Sequence, residues 1–227
     1  MDENGAFSVT LGGKEDDAVG QWLDIPSGST MVWVRQFLEQ PHGVEGDCRI
    51  ERLDPVAPPP SIDGKRFVAR LARSAMAVRL SSVNILRAGS LDDEEAPNHV
   101  REWTEASGGA VYTEPGIHYQ RGSWRLAEDE ALVIEGKAVK ARHFSMVLDS
   151  RFLNSLDYRN RHISLTTSSL RTDADGNFRI ILAARDPGKD NWLDTEGRDF
   201  GLFAIRWLQP ETTPETPTAR VAKLSEV

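Results

Sequence analysis

The feature that most constrains this chain is a stretch it contains twice. Gln21-Trp22-Leu23-Asp24 is followed by an apolar run at 31–38 and closed by Pro41. Asn191-Trp192-Leu193-Asp194 is followed by a run at 200–208 and closed by Pro210. A strand-like segment precedes each copy, at 7–11 and at 178–182. Phe7 and Phe178 stand 171 residues apart, Trp22 and Trp192 170, and Arg35 and Arg206 171. A near-constant offset marks an internal repeat, and a repeat governs architecture before any single residue does.

Between the copies the chain alternates short β patterns with turns. Residues 46–53 read as a strand. Pro55, Pro58, Pro59 and Pro60 then form a linker that cannot join a sheet ladder. The period changes at Asp63. Phe67, Leu71, Ala75 and Val78 recur at helical spacing, with Arg66, Arg70 and Arg73 on the other face. Pro97 could open a second short helix through Trp103, so 62–107 reads as a helical insertion whose apolar face packs on a sheet. The β pattern resumes at 122–126, 131–135, 143–148, 162–166 and 178–182. The expected fold is mainly β: a jelly-roll-like antiparallel β-sandwich, a single domain over 1–210 with an internal repeat. Thr, Pro and Glu dominate 211–227, which reads as a flexible tail.

Composition excludes several classes. Lys and Arg number 27 against 35 Asp and Glu, a net charge of −8, which argues against nucleic-acid or anionic-membrane partners. No apolar run approaches the ~18 residues of a membrane helix, and the acidic start is not a secretory leader. The one cysteine, Cys48, fits a reducing compartment and reads as a small core residue. A cytoplasmic protein is the expectation. The five histidines, at 42, 99, 118, 143 and 162, show no metal-ligand spacing, so neither a metal nor a cofactor is expected. There is no GxSxG elbow, P-loop or dinucleotide fingerprint.

Ser155-Leu156-Asp157-Tyr158-Arg159, Asn191-Trp192-Leu193-Asp194 and Arg206-Trp207-Leu208 resemble the DUF1214 family, often fused to DUF1254. The similarity is closest over 122–210. Val34-Arg35-Gln36-Phe37 and Ile50-Glu51-Arg52-Leu53 resemble the upstream part of such members. The resemblance implies a jelly-roll-like β-sandwich, with no assigned activity, and members that carry a further N-terminal helical segment.

Duplicated residues are expected to serve the fold. Arg206 would pair with Asp194 and Arg35 with Asp24, and Trp22 and Trp192 would fill the core. Unduplicated polar residues near strand ends are the candidates for chemistry. His118, Tyr158 and His162 could act as acid, base or proton donor, with Tyr119 and Arg159 binding the ligand. The expected function is metal-independent binding or conversion of a small, largely apolar molecule with a polar handle. The alternative is a non-catalytic β module that packs on a partner chain or an absent N-terminal domain. Homo-oligomer formation is compatible with both.

Overall fold

Period-two alternation is strongest between residues 117 and 208, and there the chain builds two facing sheets. The computed structural model describes residues 3, 5–29, 31–40, 46–55, 58, 61, 63–86, 95–102 and 116–227. One sheet holds β3 (Val100–Glu102), β4 (Ile117–Arg125), β6 (His143–Asp149), β7 (Ser164–Thr166) and β10 (Phe200–Leu208), in the order β3-β4-β10-β6-β7. The other holds β5 (Glu130–Lys137), β8 (Asn177–Ala183), β9 (Trp192–Asp194) and β11 (Thr218–Lys223), in the order β11-β5-β8-β9. Every pairing in them is antiparallel except β8 with β9.

Alternation explains the core. Phe144, Met146 and Leu148 of β6 and Phe203, Ile205 and Trp207 of β10 turn to one side. They meet Leu132 and Ile134 of β5, and Phe178, Ile180 and Leu182 of β8, in one buried cluster. Each such side chain contributes about 1.5–3 kcal/mol by leaving water. The chain is thus a mainly β protein whose sheets form a β-sandwich. Trp124 is fully buried, and its indole N–H donates to the Arg198 carbonyl at 3.2 Å. Gly201 lies directly opposite it on β10, and a Cβ there would overlap the Trp124 ring. Glycine is a packing requirement at that position.

Contacts divide the chain into two units, Met1–Gln36 and Phe37–Val227, where the sequence reads a single domain over 1–210. The first unit contains β1 (Val9–Leu11) and β2 (Gln21–Leu23), a parallel pair with a short 3-10 turn at Glu15–Asp17 between them.

Several local expectations are corrected. Residues 31–38 and 46–53 are not strands, and Cys48 is exposed rather than in the core. Alternation alone does not make a strand, which also needs a ladder of backbone hydrogen bonds to a second strand. α1 (Gly64–Leu86) forms, opened by Asp63, whose carboxylate accepts the Arg66 N–H at 2.7 Å. Its apolar side chains do not pack on a sheet, since Phe67, Leu71 and Val78 are all exposed. Val100–Glu102 is a strand rather than part of a second helix, while Trp103 lies outside the described residues. The C-terminal tail adds a strand, β11, which pairs with β5 over six residues. The Thr and Pro content of 211–217 hid it, although Pro214 and Pro217 are buried. No helix among the described residues is long and apolar enough to cross a membrane.

Candidate functional site

The alternation that sends Phe203, Ile205 and Trp207 into the core sends Leu202, Ala204, Arg206 and Leu208 to the opposite face of the five-stranded sheet. Register brings polar residues to that face. Tyr119 lies opposite Arg206, Arg121 opposite Ala204 and Ser123 opposite Leu202 across β4 and β10. Arg101 of β3 lies directly opposite Arg121. On the other flank Ser145, Val147 and Asp149 of β6 oppose Arg206, Ala204 and Leu202, and Thr166 of β7 opposes Ser145. Residues directly opposite on neighbouring strands sit about 5 Å apart and diagonal ones about 7–8 Å. Arg101, Arg121, Arg206 and Tyr119 therefore share one patch, beside the apolar Leu202, Ala204 and Val147.

The patch is secluded. Arg121 is 6% exposed, Ser123 is fully buried, and Leu202 and Ala204 are buried. The Arg206 guanidinium lies 5.7 Å from the centre of the Tyr119 ring, a cation–π arrangement. Burial pushes the Asp149 carboxyl up to about 6, against the pull of Arg206. In such a site guanidinium forks suit a carboxylate or phosphate, and the Tyr119 phenol can donate to the same group.

One end of this face carries a clasp. Glu39 Oε1 lies 2.7 Å from Nδ1 of the buried His143. Its other carboxylate oxygen accepts the Ser168 N–H at 2.9 Å, and its main-chain carbonyl accepts the Thr166 hydroxyl at 2.7 Å. The Phe37 ring stands 5.6 Å from that of His143. Burial opposes the Glu39 charge, but the Ser168 N–H and His143 outweigh it and hold the carboxyl below its usual range. The clasp fixes the orientation of His143, the requirement for an imidazole that moves a proton.

The five residues singled out in the sequence fall in three places. Tyr119 belongs to the arginine patch. His118, its neighbour on β4, alternates to the other side of the sheet, where Nε2 stands 3.9 Å from Glu102. Tyr158, Arg159 and His162 are exposed on the connection between β6 and β7, with the Arg159 guanidinium 5.7 Å from the Tyr158 ring centre. Arg101, Arg121, Asp149, Glu39 and His143 were not singled out as a group. The available signal was the two-residue spacing of Tyr119 and Arg121, which puts both on one strand face.

The expected struts also differ. Asp194 takes Arg161, whose Nη1 donates to Oδ2 at 2.7 Å, and not Arg206. Arg206 sits on the other sheet. Arg35 lies over Trp33, 5.2 Å from its ring centre. Trp22 and Trp192 are half-buried, each with its indole N–H bonded to a carbonyl. Among the described residues no group of His, Cys, Asp and Glu could hold a metal ion.

Comparison with known proteins places the C-terminal part. Residues 139–212, from just before β6 to just beyond β10, match the sequence model of a family described as a protein of unknown function, DUF1214. A crystal structure of an uncharacterized protein from Burkholderia cenocepacia is 32% identical and covers 78% of this chain, with a TM-score of 0.70. This chain spans 49% of that protein. A protein from Vibrio parahaemolyticus is 16% identical over 72% of this chain and 47% of its own, with a TM-score of 0.41. No curated protein matches. The segment that carries Asp149, Arg206 and the Tyr158, Trp192 and Trp207 motifs belongs to the DUF1214 family.

Proposed function

We propose that the chain binds a small, largely apolar molecule through an anionic handle held by Arg101, Arg121, Arg206 and Tyr119, without a metal ion. The observation that supports this is the register that gathers these residues on one face. Guanidinium forks and a phenol on one face match the geometry of a carboxylate or phosphate. Leu202, Ala204 and Val147 beside them suit an apolar body. If the ligand is converted rather than only held, His143, oriented by Glu39, is the group on this face suited to proton transfer.

The probe is octanoate, with 1-octanol as its uncharged counterpart, by titration calorimetry. Octanoate should bind at least about tenfold more tightly, a difference of about 1.4 kcal/mol. Arg206→Met should remove that preference while melting stays close to wild type. Equal binding of the two probes, or an unchanged preference in the variant, refutes the reading.

A second reading is a non-catalytic β module that packs on a partner chain. The exposed apolar side chains of α1, Phe67, Val68, Leu71, Met76 and Val78, favour it. Absence of any ligand preference, together with a partner captured on α1 and lost in Leu71→Asp, would put this reading first.

A further inference from the structure

Two parallel strand pairs in this chain have the same register. Across β1 and β2, Thr10 faces Trp22 and Leu11 faces Leu23. Across β8 and β9, Ile181 faces Trp192 and Leu182 faces Leu193. The Trp22 indole donates to the Gly12 carbonyl at 2.9 Å, and the Trp192 indole to the Ala183 carbonyl at 3.1 Å. Gly12 and Ala183 stand 171 residues apart, as do Phe7 and Phe178. Offset, strand direction, register and indole bond agree between the two pairs.

The pairs differ in what covers them. On the edge away from β9, β8 is bordered by an antiparallel β5, with Leu132 opposite Leu182, Ile134 opposite Ile180 and Gly136 opposite Phe178. Phe178, Leu182 and Leu193 are 3%, 0% and 0% exposed. At the matching positions Phe7, Leu11 and Leu23 are 60%, 39% and 57% exposed. Among the described residues, β1 has β2 as its one sheet neighbour. The Ser8 carbonyl and the Gly12 N–H bond to β2, so alternation turns the backbone groups of Val9 and Leu11 to the other edge. An apolar edge of this kind is a template for a further strand.

We propose that this edge takes a β-strand from polypeptide outside these 227 residues, antiparallel to β1 and apolar at alternate positions, as β5 is toward β8. Among the described residues the strand of this chemistry, β5, is committed, because it is paired on both sides by β8 and β11. The related Burkholderia protein holds further polypeptide, since this chain spans 49% of it. Main-chain hydrogen bonds would supply the affinity. Phe7, Val9, Leu11 and Leu23 would receive every second side chain and supply the selectivity.

The test uses the 227-residue chain and a synthetic peptide of residues 129–138, which carries the β5 sequence. Saturating peptide should slow amide hydrogen exchange at Leu11 about tenfold. Val9→Pro removes the outward N–H at position 9 and leaves the bonds of Ser8 and Gly12 to β2 intact. It should abolish the slowing, while unchanged exchange at Ile205 shows that the sandwich remains folded. No slowing in the wild type, or equal slowing in the Val9→Pro variant, overturns the proposal. Protection of Leu11 that rises with protein concentration in the absence of peptide assigns the edge to a second copy instead, and overturns it too.

Discussion

Glu39 holds His143 across 104 positions of sequence, Oε1 to Nδ1 at 2.7 Å, and so pins the segment at 37–40 to the end of the five-stranded sheet. The Ser168 N–H and the Thr166 hydroxyl complete the grip, one on the carboxylate and one on the main-chain carbonyl. Burial opposes the Glu39 charge, but the Ser168 N–H and His143 hold its carboxyl below the ordinary value. A carboxyl held below its unfolded value stabilises the fold above that value, and the stabilisation is lost as pH falls through the folded value. Glu39→Gln should therefore be less stable than wild type at about pH 6, and the two should converge toward about pH 3. Parallel denaturation curves with a constant gap across that range would show that the charge of Glu39 has no part in the grip.

Gly201→Ala tests the packing of two residues that face each other where β4 ends and β10 begins. The added Cβ would meet the buried Trp124 ring, which is held in place by its bond to Arg198. Overpacking of this kind costs about 1–3 kcal/mol. Urea denaturation should show a lower midpoint with an unchanged slope. A midpoint equal to wild type would mean that the ring moves aside freely.

Much of the sandwich was legible because Phe144, Met146 and Leu148, or Phe203, Ile205 and Trp207, alternate with residues of the other face. That pattern is local, and the central strands of the five-stranded sheet follow from it. Residues 31–38 carry the same kind of pattern and are not a strand. Pairing depends on which strands lie alongside, and residues 31–38 cannot report that. β11 was obscured for the opposite reason, since its alternation is weak and the adjacent β5 supplies the ladder. The site shows the same limit. Tyr119 could be singled out by itself, but Arg101 and Arg121 become neighbours only through the register of β3 on β4, twenty residues apart in sequence.

Leu71→Asp tests whether α1 belongs to the folded core. Its helical spacing suggests an apolar face packed on a sheet, yet Leu71 is 61% exposed. Substitutions at exposed positions fall within about ±0.5 kcal/mol. Melting of the isolated protein should therefore stay near wild type. Unfolding or aggregation of the variant would mean that the helix is buried in solution.

Asp149 links the arginine patch to pH. Burial raises its carboxyl to about 6 from 3.8, and Arg206 offsets only part of the rise. For an acid the sign follows from proton uptake. Between these two values the folded protein binds more protons than the unfolded chain, so stability falls as pH rises through this window. A shift of about two units corresponds to about 2–3 kcal/mol at most. Asp149→Asn carries no ionisable group there, so its stability relative to wild type should grow from about pH 4 to about pH 7 and then level off. The same titration bears on binding. Below about pH 6 the carboxyl is neutral and no longer competes with an anionic ligand for Arg206. Octanoate should therefore bind wild type more tightly at about pH 5.5 than at about pH 7.5, with the difference absent in Asp149→Asn. A stability difference that does not change with pH would place the Asp149 carboxyl in contact with water. A pH-dependent stability with pH-independent octanoate binding would leave Asp149 buried but would separate it from the ligand.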